Sequence, residues 1–108
     1  MWEDFVEQMV AELPFELPER FGKTPENELR SFLEREIGTA RRHGFRPLTL
    51  ARRYLLVVGR VGDLETEANA PWAEPILEDE ISTPERRMQE LEEWAAEIAP
   101  PAVPVRKA

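Results

Sequence analysis

A chain of 108 residues with 42% hydrophobic content suits one compact domain with a single core. It holds no cysteine, which excludes disulfides, thiolate metal sites and a cysteine nucleophile. A net charge of -8 argues against nucleic acid as partner.

The first residues, MWEDFVEQM, are acidic and amphipathic, unlike a secretory signal, and no stretch has the apolar length of a membrane span. These absences favour the cytoplasm. Trp2, Phe5, Val6, Met9, Val10 and Leu13 share one arc of a first helix, which Pro14 is expected to stop. In PFELPERFG that follows, Phe15, Leu17 and Phe21 read as plugs over the core, and Gly22 as the end of a single helical turn.

Thr24-Pro25-Glu26 joins a capping threonine, a proline at the first helical position and an early acid, so a helix is expected over Pro25 to His43. Leu29, Phe32, Leu33, Ile37 and Ala40 form its stripe, and Gly44 fits the left-handed position past its end. Gly38 in this helix and Gly59 in the next cost helix propensity, for which close helix approach is the expected reason.

From 48 to 61, at about 100° per residue, Leu50, Ala51, Tyr54, Leu55, Val57, Val58 and Val61 fill half the helix circumference. That breadth marks the central helix. Its other face carries Thr49, Arg52, Arg53 and Arg60 with Leu56 in their midst. Arg52, Arg53, Leu56 and Arg60 are therefore the candidate partner-binding surface: one aliphatic anchor among arginines suits an acidic, partly apolar protein. The alternative is that another segment of the chain covers Leu56. Between Ile37 and Gly62 there are six arginines and no acid, whereas Asp63 to Glu97 holds twelve acids against Arg86 and Arg87. Either these opposite-signed segments face one another or solvent, or the basic one receives an acidic partner.

DLETEANA reads as an acidic loop, and Pro71-Trp72-Ala73 as the start of a short helix that Pro75 bends. Ser82-Thr83-Pro84-Glu85 opens a last helix, Pro84 to Ile98, with Met88, Leu91, Trp94, Ala95 and Ile98 on one side. The expectation is an all-α bundle of four to five helices: one domain over 1–99 and a proline-rich flexible tail over 100–108.

Candidate chemistry is thin. His43 is the only histidine and sits at a helix C-terminus, where a cation suits the dipole. There is no HExxH, no EF-hand loop, no GxSxG and no phosphate-cradling glycine loop, so neither metal nor cofactor is expected, and no enzyme. Glu36 and Arg87 each fall inside an apolar arc, where a charge needs a partner; Arg87 can fork onto Glu36 as a structural ion pair, onto Asp63, or onto loop carbonyls before Pro71. Trp2, Trp72 and Trp94 lie on apolar stripes, so core packing is the reading for all three.

From Leu29 to Leu91 the chain resembles a family of short helical proteins associated with bacterial type VI secretion and polymorphic-toxin gene clusters. The resemblance rests on LRSFLEREIGTARRHGF ending in Gly44-Phe45, on Arg53-Tyr54-Leu55, Gly62-Asp63-Leu64-Glu65, Pro71-Trp72-Ala73 and Ile76-Leu77, and on Pro84-Glu85-Arg86-Arg87-Met88 with Leu91. It implies a cytoplasmic helper beside a secreted effector or toxin: an adaptor, a chaperone or an immunity-type inhibitor. It brings no catalytic residues. A structural subunit that self-assembles is the alternative.

Overall fold

The computed structural model describes residues 2–98. The expected tail, 100–108, lies outside them. Among the described residues there are six helices against the four to five expected: α1 (Trp2–Glu16), α2 (Pro18–Phe21), α3 (Glu26–Arg42), α4 (Leu48–Val61), α5 (Ala70–Leu77) and α6 (Pro84–Ile98), the extra one being the single turn α2. Among the described residues there is no strand, and no helix is long and apolar enough to cross a membrane.

α4 is the centre of the bundle and packs against α6, α3 and α1. Its wide apolar arc divides between two clusters. Leu50, Tyr54, Val57 and Val58 meet Ala73, Ile76 and Leu77 of α5 and Met88, Leu91 and Ala95 of α6. Ala51 and Leu55 meet Phe5, Met9 and Leu13 of α1 and Leu29, Leu33 and Ile37 of α3. One helix can serve both sides only because its apolar arc is so broad.

α1 does not stop at Pro14 but continues to Glu16. A proline in the last turn removes one amide donor while its fixed φ suits a helix, and Leu17 N still donates to Leu13 O at 2.8 Å. Continuation carries Phe15 about 200° around the axis from buried Leu13. Phe15 is therefore 81% exposed and plugs nothing. Phe21 and Leu17 do pack on the α1–α3–α4 cluster.

Thr24 does not cap α3, since its hydroxyl donates back to Arg20 O at 3.3 Å. Thr83 does cap α6, accepting from Arg86 N at 3.1 Å. Gly44 has φ 91°, and past the end of α3 Phe45 N donates to Ala40 O and Gly44 N to Arg41 O. This closure drives Phe45 wholly into the core. Close approach explains Gly59, where a Cβ would lie 2.5 Å from Leu17 Cδ1 and 3.2 Å from Phe21 Cε2. It does not explain Gly38, where a Cβ would meet nothing within 4 Å.

Candidate functional site

Of the α4 face singled out in the sequence, most is spent on neighbouring helices. Arg52 Nε donates to Glu12 Oε1 of α1 at 2.8 Å. Arg53 forks onto Glu92 of α6, with Nε and Nη2 at 2.8 and 2.6 Å from its two oxygens. Leu56 lies between them, partly buried against the α1–α3 cluster. Arg60 is exposed. The structure thus brings Arg52, Arg53 and Leu56 together as a seam between helices, with the basic helix facing acids of α1 and α6.

The expected Glu36–Arg87 ion pair is not formed. Arg87 is 9% exposed, and its Nη1 donates to His43 O and to Leu77 O, both at 2.9 Å. Its guanidinium lies 5.2 Å over the Phe45 ring. These carbonyls end α3 and α5, so the fork satisfies two helix C-termini and complements both dipoles. Glu36, 1% exposed, is left with Arg35 Nε at 3.3 Å, and its Oε1 has no hydrogen-bond partner. Burial, then the nearby Asp63, hold its carboxyl above the usual range, against a smaller pull from Arg35.

Tyr54 and His43 belong to the same polar node. The Tyr54 hydroxyl is buried without a partner, and its proton is held more tightly first by burial and then by Glu36. His43 is pushed toward its neutral form by burial, only partly offset by Glu65, whose Oε2 lies 3.7 Å from Nε2. Above them Asn69 closes the acidic loop: its Nδ2 donates to Val61 O and Asp63 O, both at 2.9 Å, while its Oδ1 accepts from Trp72 Nε1 at 3.2 Å. Sequence reading missed Asn69, although an asparagine just ahead of Ala70-Pro71-Trp72 is a turn-and-cap signal. Among the described residues no group of three or more His, Asp or Glu is placed to hold a metal ion.

The second feature missed is an exposed aromatic face. Trp72 of α5 and Trp94 of α6 stack with ring centroids 6.1 Å apart and planes 20° from parallel. Trp94 is 46% exposed and Ile98, one turn on, 47%. Trp72 and Trp2 are half-buried and pack on the two core clusters as expected, whereas Trp94 stands largely outside, which corrects the expectation of core packing for that residue. The apolar stripe of α6 outruns the helices that cover it. Helical periodicity places Trp94 and Ile98 on the inner side but does not say where the covering elements end.

Comparison of the chain with family models, with curated proteins and with solved structures gives no match.

Proposed function

We propose that this protein is a non-catalytic, protein-binding helper: an adaptor, chaperone or immunity-type inhibitor that engages a secreted effector or a component of its secretion machinery. The observation that supports this most is the Trp72–Trp94 stack continuing into Ile98, a large aromatic and aliphatic face left over beside a complete core. Tryptophan beside an aliphatic residue, partly desolvated already, is what the centre of a binding surface is made of. On α6 the exposed Glu93 and Glu97 flank it. The partner therefore offers an apolar pocket with a basic rim, the reverse of the acidic partner that the arginines of α4 suggested.

The test is co-expression with the products of the flanking genes, followed by purification on the tagged helper. The double variant Trp94→Glu, Ile98→Glu is expected to lose the complex by a factor of about thirty or more while its helical circular dichroism is unchanged. A folded double variant that binds as tightly as the parent rejects this face.

A further inference from the structure

Between the N-terminal half of α1 and the C-terminal half of α3 lies a groove of about 700 Å³. Buried Val6 and Ile37, with Gly38, make its floor, and the Trp2 indole makes one wall. Three exposed carboxylates, Glu3, Asp4 and Glu34, stand on its rim. None of the three is in an ion pair among the described residues. Arg30, also at the groove, is already neutralised by Glu7 at 2.6 Å and Glu26 at 2.9 Å. The Arg41 guanidinium, likewise at the groove, lies 5.0 Å over the Trp2 ring and so covers one face of that indole with the chain's own cation, leaving Glu3, Asp4 and Glu34 as the groups that meet an incoming one.

Gly38 supplies the independent observation. It sits inside a 17-residue helix, where glycine weakens the helix, yet no contact within the molecule requires it. A side chain at this position would instead stand in the groove. Glycine here keeps the backbone of α3 open to close approach from outside.

We infer that the groove docks a basic segment of a protein partner, one that carries lysine or arginine beside aliphatic side chains and passes over Gly38. The aliphatic groups cover Val6 and Ile37, and the cations meet Glu3, Asp4 and Glu34. This site is separated by α4 from the Trp72–Trp94 face and stands or falls without it.

The probe is a short synthetic amphipathic peptide of leucine and lysine, set beside its counterpart with glutamate for each lysine. Titrated into the full chain, the lysine peptide is expected to shift the amide resonances of Val6, Ile37 and Gly38, with the glutamate peptide silent. Gly38→Leu is expected to weaken the lysine peptide about ten-fold or more without lowering the melting temperature. Gly38→Ala, which fits without a clash, is expected to raise that temperature. Shifts spread over the acids of α6, or an unchanged affinity in Gly38→Leu, would overturn the assignment. So would a change at the Trp2 indole on deleting residues 99–108, which would give the groove to the chain's own segment.

Discussion

Glu36 sits in the apolar arc of α3, and the core leaves its carboxylate one long contact to Arg35 and an oxygen with no partner. A group in that position favours its neutral form, so the folded state holds its proton above the ordinary value of 4.5. Because the folded carboxyl is raised, the contribution of Glu36 to stability is greatest below 4.5 and falls as the pH climbs from there through the folded value. His43 works in the other direction. Its folded value is lowered, so stability falls as the pH drops below 6.5. Glu7 and Asp79, whose carboxyls are held low by Arg30 and by Ser82 and Ile81, lose their contribution only below their ordinary values of 4.5 and 3.8. Glu36→Gln is therefore expected to stabilise the protein at pH 7 and to remove the declining limb above 4.5, leaving the His43 rise toward neutrality. Urea unfolding over a pH series checks both. That Glu36 and Arg87 are buried is legible from the sequence, since each interrupts an apolar arc. Their partners are not legible, because a guanidinium is steered by whichever acceptors the fold brings within reach.

For Arg87 those acceptors are the ends of two other elements. One side chain on α6 ties down the last carbonyls of α3 and α5 and covers the Phe45 ring. It also approaches Gly44, where a Cβ would lie 3.1 Å from Nη2, so the glycine that ends α3 makes room for the clamp as well as for its own φ. Replacing Arg87 leaves two carbonyls without their donor and removes a stacked plane. Arg87→Ala is expected to cost about 3 kcal/mol or more. Arg87→Leu, which keeps apolar cover on Phe45, should cost less, and Arg87→Lys least, since it keeps the charge at two helix ends. Chemical denaturation midpoints give this order, and equal losses for all three would show that the clamp carries no specific weight. The helices themselves were readable because hydrophobic period, prolines and glycines each mark them. Boundaries set by tertiary packing were not, which is why α1 runs past Pro14 and Phe15 turns outward.

The distribution of charge over the whole molecule decides between the two uses of its aromatic face. The segments of opposite sign do meet: Arg53 of α4 forks onto Glu92 of α6, and Arg42 reaches Glu65 at 3.6 Å. The chain carries an excess of -8, and on α6 the exposed Glu93 and Glu97 stand next to Trp94 and Ile98. A second copy docking by the same face in a two-fold contact would set Glu93 and Glu97 against their equivalents, a repulsion that a basic-rimmed partner would turn into attraction. The protein is therefore expected to sediment as a monomer at pH 7 and low salt. It should begin to associate as the pH is lowered toward the isoelectric point near 4.7, or as added salt screens the acids, because the aromatic attraction remains while the repulsion fades. Glu93→Lys with Glu97→Lys should stay monomeric as the pH is lowered, because the lysines keep their charge where the glutamates lose theirs, yet should associate once salt screens them, whereas Trp94→Glu should stay monomeric throughout by losing the attraction itself. Sedimentation velocity over pH and salt separates these cases. A stable dimer at pH 7 and low salt would move the face from partner binding to self-assembly, the one arrangement that the charge around Trp94 opposes.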